Sequence, residues 1–189
     1  MKQLILFLCL SVNLFCYGQE KDALKDIQSI KFYGVDYSQV KVFGASESPE
    51  QFKVAFSGIN GLFITEAKKY NVGKQLKKEV TEISLDAVNQ VNNAINPQEL
   101  MTSQTQYELS EQQIQTAIQK LPIKKAPGVG MLFVAEFLNK ADNMGTYKVV
   151  FFNTETKEII EEWMTQGKAK GFGLRNYWAG SIYSALKKL

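Results

Sequence analysis

The chain has 189 residues, and its 22 basic and 19 acidic residues give a formal net charge of +3. These charges are scattered along the chain, which excludes the concentrated basic face of a nucleic-acid-binding protein. The sequence contains no histidine, and its two cysteines, Cys9 and Cys16, both lie near the start. Serine triads, thiol nucleophiles, and zinc or haem sites built on imidazole or thiolate are therefore excluded for the rest of the chain.

The first residues have the pattern of a secretory signal peptide. Lys2 precedes an apolar run, residues 4–15, that is too short to span a bilayer. Cys16 and Gly18 supply the small residues of a cleavage site, so we expect residues 1–18 to be removed. Lipidation of Cys16 is disfavoured because Phe15 precedes it. We expect residues 19–189 to form a single domain that is periplasmic or secreted from a Gram-negative bacterium, with no transmembrane segment.

The next part of the chain predicts a strand followed by a long helix. Apolar and polar residues alternate over residues 29–36, and residues 40–43 continue this strand or form a short second one. Ser48 and Gln51 form a capping box, and the apolar period that follows predicts a helix reaching Tyr70, with Asn71-Val72-Gly73 as its end. Gly58 and Gly61 inside this helix predict the close approach of a neighbouring element.

The middle of the chain is more polar. Residues 79–85 alternate like an edge strand, and residues 85–95 fit one face of a helix. Pro97 ends that segment, and a tract rich in Asn and Gln follows. Ser110 and Gln113 form a second capping box, which predicts a helix that Pro122 closes.

The last third predicts a three-strand antiparallel meander and a closing helix. Residues 131–138 are apolar on both faces apart from Glu136, which is typical of a central strand. Residues 147–152 and 159–165 flank a five-residue connection suited to a hairpin. An apolar stripe from Leu174 to Leu189 predicts the helix. We therefore expect an α/β fold of the α+β type: a mainly antiparallel sheet with the long helix and the C-terminal helix packed on it.

A glycine-rich turn, residues 167–173, joins the last strand to that helix. Amides at a helix N-terminus bind anions, and Lys170 and Arg175 lie nearby. The turn matches neither the dinucleotide fingerprint nor the P-loop, so its alternative role is a tight turn with positive φ and Phe172 in the core. The candidate residues for binding a ligand or a partner are Gly171, Phe172, Gly173, Arg175 and Tyr177.

Arg175 is the only arginine of the sequence, and it has a structural alternative. Glu66 falls on the apolar face of the predicted long helix, where an unpaired acid is costly. We therefore expect Arg175 to form a buried ion pair with Glu66 or with Asp36. Glu136 raises the same question within its strand, where it either pairs or faces a cleft.

The element order resembles that of uncharacterised secreted or periplasmic proteins of Gram-negative bacteria. The resemblance is carried by the strand SIKFYGVDYS, the helix SPEQFKVAFSGINGLFITEAKKY, the meander ending EEWMTQGKAKGFGLRNYW and the closing helix AGSIYSALKKL. The architecture is similar to the amino-terminal domain of the translocation protein TolB and to outer-membrane lipoprotein activators of peptidoglycan synthases. The resemblance implies a role in the cell envelope.

Three functions follow from this pattern. The first is a non-enzymatic interaction module that binds an envelope protein through an exposed sheet edge or through residues 172–178. The second is a small-ligand or anion-binding protein that uses the turn at residues 167–175. The third is a hydrolase with two carboxylates in one cleft. The pattern predicts no metal and no cofactor, and it leaves the oligomeric state open.

Overall fold

The computed structural model describes residues 24–189, so the predicted signal peptide lies outside the described residues. Within that range the chain forms a mixed α/β fold of five α-helices and a six-stranded sheet. The strands are β1 (Ser29–Asp36), β2 (Lys41–Phe43), β3 (Glu79–Ile83), β4 (Val129–Asn139), β5 (Met144–Asn153) and β6 (Ile159–Lys168). The helices are α1 (Pro49–Thr65), α2 (Val72–Leu76), α3 (Asp86–Asn93), α4 (Glu111–Lys120) and α5 (Leu174–Leu186), with a short 3₁₀ helix at Pro97–Glu99.

The sheet has the strand order β3-β1-β4-β5-β6, and β2 pairs with the far end of β4. Strands β4, β5 and β6 form the predicted antiparallel meander, and α5 packs back on it. Antiparallel pairing accounts for most of the ladder, but β1 pairs in parallel with both β3 and β4, as does β2 with β4. These parallel pairs need long crossovers, which the intervening helices supply.

The two faces of the sheet carry separate apolar layers. Alternate residues of β4 divide between them: Met131 and Phe133 face one layer, and Leu132 and Val134 face the other. The first layer is covered by α1 and α5, and the second by α3 and α4. The prediction of a central strand covered on both sides is therefore confirmed.

Helix α1 begins as predicted and ends earlier than predicted. Both capping-box hydrogen bonds between Ser48 and Gln51 are present. The helix stops at Thr65, however, and Tyr70 reaches the core from the turn that follows. Asn71 is an N-cap, because its side chain accepts a hydrogen bond from the Lys74 amide at 2.8 Å, so Asn71-Val72-Gly73 opens α2 instead of ending α1.

The two glycines of α1 have different surroundings. A Cβ added to Gly58 would lie 2.7 Å from Cδ of Arg175, so the predicted close approach is confirmed there. A Cβ added to Gly61 would meet nothing within 4 Å, and the prediction of a close neighbour is wrong for that residue.

Strand β1 contains an irregularity that two buried amides repair. Its register with β4 shifts between Phe32 and Val35, and Gly34 has φ of +93°. The Asn60 side chain of α1 accepts from the Val35 amide at 2.8 Å and donates to the Val35 carbonyl at 2.9 Å. Asn92 of α3 donates to the same carbonyl at 2.9 Å and accepts from the Tyr37 amide at 2.7 Å. Side chains from two helices thus supply hydrogen bonds to the backbone groups of β1 that leave the ladder.

Replacing Asn60 tests this repair. We expect Asn60→Ala to lower the free energy of unfolding by about 2–3 kcal/mol, since the buried Val35 amide loses its acceptor. Urea unfolding followed by circular dichroism measures the change. Asn93→Ala, a matched change at an exposed residue at the end of α3, is the control. Equal losses for the two variants would contradict the assignment.

Candidate functional site

The glycine turn is a tightly fastened connection. Gly171 and Gly173 have φ of +138° and +78°, so the prediction of positive φ is confirmed. The Lys170 amide donates to the Tyr177 carbonyl at 3.1 Å, and the Tyr177 amide donates to the Gly173 carbonyl at 2.9 Å. The backbone on both sides of Phe172 is therefore tied to the first turn of α5.

Phe172 projects from this turn into solvent. Its side chain is 96% exposed, so the alternative that placed Phe172 in the core is wrong. The reason is geometric: Gly171 packs against the backbone of Asn176, and residue 172 is left at the outside of the bend. A rigid backbone here presents an aromatic ring that contributes nothing to the core.

Arg175 does not form the predicted buried ion pair. Its guanidinium is exposed and donates from Nε and Nη2 to Oδ1 of Asn176, at 3.1 and 2.9 Å. Glu66 pairs with Lys69 at 3.1 Å, because the early end of α1 carries Glu66 away from the apolar face. Asp36 is buried at the end of β1, accepts a hydrogen bond from the Ser38 amide, and has a pKa raised by that burial.

Arg175 separates two shallow grooves. One, of about 410 Å³, is basic and aromatic, and the other, of about 580 Å³, is more apolar. Val54 is exposed on the apolar side, and Lys69 lies over the ring of Tyr183 on the basic side, 5.6 Å from its centroid. The surface that spans both grooves, called here the turn surface, consists of Val54, Lys69, Lys170, Phe172, Leu174, Arg175 and Tyr183.

Tyr177 has a structural role beside this surface. Its hydroxyl donates to Oδ1 of Asn143 at 2.5 Å, and its ring meets the edge of Trp178 with centroids 5.0 Å apart. Burial raises the pKa of the Tyr177 hydroxyl, which favours its protonated, donating form. Tyr177 therefore ties α5 to the turn between β4 and β5.

A second site lies on the opposite face of the sheet, around Glu136. This residue is the extra one of a β-bulge, since Ala135 faces Tyr147 and Phe137 faces Thr146. Glu136 is only 3% exposed, and its Oε2 accepts from the Leu109 amide at 2.8 Å. The two predicted alternatives, pairing and facing a cleft, both hold: Lys148 Nζ lies 3.7 Å away, and Glu136 lines a cleft of about 490 Å³.

Sequence reasoning missed the partners of Glu136, which are Lys148 and the Leu109 amide. Lys148 contacts Glu136 and also Glu108, whose Oε1 lies 3.8 Å from Nζ. The signal for Lys148 was available, because it shares a strand face with the buried Val150 and Phe152, where a lone cation needs a counter-ion. Three carboxylates, those of Glu108, Glu136 and Asp142, thus line one cleft, and the hydrolase hypothesis requires two. The buried one, Glu136, is already held by Lys148 and the Leu109 amide.

Residues 24–189 show neither a cluster of metal-ligating side chains nor a membrane-spanning helix. No group of three or more acidic, histidine or cysteine side chains in this range is arranged to hold a metal ion. No helix in the same range combines the length and apolarity that a bilayer span needs.

Comparison with known proteins adds no family to this description. No protein-family profile matches the chain, and no curated protein matches it at a significant level.

The Glu136 pair makes a testable contribution to stability. We expect Glu136→Ala to lower the free energy of unfolding by about 3 kcal/mol, because it leaves the buried end of Lys148 without its nearest counter-ion and the Leu109 amide without an acceptor. The measurement is chemical denaturation. Glu108→Ala, which removes the mostly exposed carboxylate, should cost less than about 1 kcal/mol. A larger loss for Glu108→Ala than for Glu136→Ala would refute this account.

Proposed function

We propose that the protein is a non-enzymatic interaction module of the bacterial cell envelope that binds a protein partner through the turn surface. The observation that carries the proposal is Phe172, whose ring is 96% exposed on a backbone fastened at both ends. The predicted signal peptide and the resemblance to envelope proteins support the location. Neither hypothesis about the glycine turn requires a cofactor.

The turn surface has the composition of a binding hot spot. Aromatic residues and arginine dominate the energetics of protein interfaces, and both stand here side by side. Because the turn is already ordered by its own hydrogen bonds, binding would immobilise little backbone. Arg175 has no carboxylate partner among residues 24–189, so its charge remains available to a partner.

The two grooves indicate what the partner presents. Phe172 fits a concave apolar pocket, and Arg175 and Lys170 favour an acidic residue at the rim of that pocket. The groove beside Val54 and Leu174 accepts a further apolar side chain. We therefore propose a partner segment that combines apolar residues with a carboxylate.

The first test removes the exposed ring. Phe172→Ala should abolish capture of an envelope protein in a cross-linking pull-down and leave the unfolding midpoint unchanged, because the ring makes no contribution to the core. Ile64→Ala, which truncates another exposed apolar residue outside the turn surface, should retain capture. Tyr177→Ala is a poorer probe, since it also releases α5 from Asn143. Full capture by Phe172→Ala would refute the proposal.

The second candidate function is anion binding at the same turn. It is favoured by one observation: the guanidinium of Arg175 is exposed beside the N-terminus of α5 and, among the described residues, donates only to its neighbour Asn176.

Titration with inorganic phosphate distinguishes the two functions. An anion site predicts saturable NMR shifts of the amides of residues 173–176, lost in Arg175→Gln and retained in Lys188→Gln, which changes an exposed lysine at the other end of α5. If phosphate shifts these amides without affecting partner capture, the anion function stands by itself. Absence of any saturable shift would eliminate it.

A further inference from the structure

Strand β6 forms one edge of the sheet, and its backbone pairing leaves a regular row of free groups. The Ala169 amide donates to the Asn143 carbonyl at 2.7 Å, which sets the phase of the antiparallel ladder between β5 and β6. Hydrogen-bonded pairs alternate in such a ladder, so odd-numbered residues of β6 bond to β5 and even-numbered residues direct their N–H and C=O groups outward. The outward residues are Glu162, Met164, Gln166 and Lys168.

The pairing of β5 with β4 confirms this phase. The Thr154 amide donates to the Gly128 carbonyl at 3.0 Å, which assigns the even-numbered residues of β5 to β4. Its odd-numbered residues are then the ones that bond to β6, as the phase set by Ala169 requires.

Side chains of opposite charge stand near the two ends of this edge. Among residues 24–189, Oε2 of Glu162 has no hydrogen-bond partner, and burial raises the pKa of its carboxyl group although the charge of Lys148 acts in the opposite direction. Lys168 is exposed and takes part in none of the ion pairs formed within residues 24–189. Met164 lies between them and is also exposed.

A second copy of the chain pairs with the free backbone groups of this edge and brings its opposite charges together. Around a two-fold axis, outward residues pair only with outward residues. The register that sets Met164 against Gln166 of the second copy also sets Glu162 against Lys168, and this happens twice by symmetry. Directly opposed residues have Cα atoms about 5.5 Å apart, which lets the two side chains form an ion pair.

We propose that the protein forms a two-fold symmetric homodimer in which β6 pairs antiparallel with β6 of a second copy, with Glu162 and Lys168 as reciprocal ion pairs. About eight backbone hydrogen bonds form between the two strands in this register. The edge has ten residues and no proline, so a long run of its backbone can pair with a second strand.

The opposite edge does not suit a second copy. Strand β3 has five residues, carries Glu79 and Glu82, and contains no basic residue, so self-pairing would bring like charges together. Strand β2 is already bridged on its outer side by Met101. Strand β6 is therefore the edge that charge complementarity selects.

A charge swap tests the register. Sedimentation equilibrium of the purified chain should give a concentration-dependent dimer, and Glu162→Lys or Lys168→Glu should each raise its dissociation constant roughly tenfold. The double variant, Glu162→Lys with Lys168→Glu, should return it to within about threefold of the original value, because the ion pairs are restored with reversed polarity. A monomer at all concentrations, or a dimer in which the double variant gives no rescue, would overturn the proposal.

Hydrogen exchange tests the strand pairing separately. The amides of residues 162, 164, 166 and 168 should be protected at concentrations that favour the dimer and unprotected on dilution, whereas those of residues 163 and 165 stay protected throughout.

Gln166→Pro removes only an outward N–H, so it should abolish the dimer and preserve the circular dichroism spectrum. Protection that appears only when another envelope protein is added would assign the edge to that partner and overturn the homodimer. Phe172→Ala should leave the dimer intact, so failure of the partner-binding proposal is distinguishable from failure of this one.

Discussion

The fold depends on the repair of β1 by two buried amides. At Gly34 the strand leaves the ladder. A Cβ at that position would lie 2.7 Å from Oδ1 of Asn60, so the hydrogen bonds of the Asn60 side chain require glycine there. Asn60 comes from the helix over one face of the sheet and Asn92 from a helix on the other. One irregular strand therefore anchors both layers, since the low dielectric of the core makes each of these hydrogen bonds costly to lose.

The position of the exposed aromatic follows from the same anchoring. Helix α1, held by Asn60, approaches α5 closely at Gly58, where the stem of the Arg175 side chain lies. The hydroxyl of Tyr70 reaches the Ala179 carbonyl of α5 at 3.4 Å, and Tyr177 fixes the same helix to the turn between β4 and β5. With α5 held from two directions, the preceding glycine turn has little freedom. Packing of the core thus fixes the position of Phe172, although the Phe172 side chain lies outside the core.

Local patterns predicted the elements better than their ends and partners. Capping boxes and apolar periods located α1, α4 and the meander because those signals depend only on nearby residues. The apolar period of the sequence runs past Thr65 because Tyr70 is also buried, although Tyr70 reaches the core from a turn. Glu66 therefore lies off the predicted apolar face, and the reason for pairing it with Arg175 is lost. Parallel pairing of β1 and the contact between Glu136 and Lys148 join distant segments, which spacing along the chain does not encode.

The proposed edge pairing also bears on the geometry of the turn surface. Lys168 is the last residue of β6, and Phe172 follows it across the glycine turn. In an antiparallel pair the two copies of Lys168 stand at opposite ends of the shared ladder, about 20 Å apart at the usual rise per residue. The two copies of Phe172 would then lie near opposite ends of this ladder, where they could address two sites at once. Such an arrangement favours a partner with repeated binding segments, because the second contact becomes intramolecular once the first has formed.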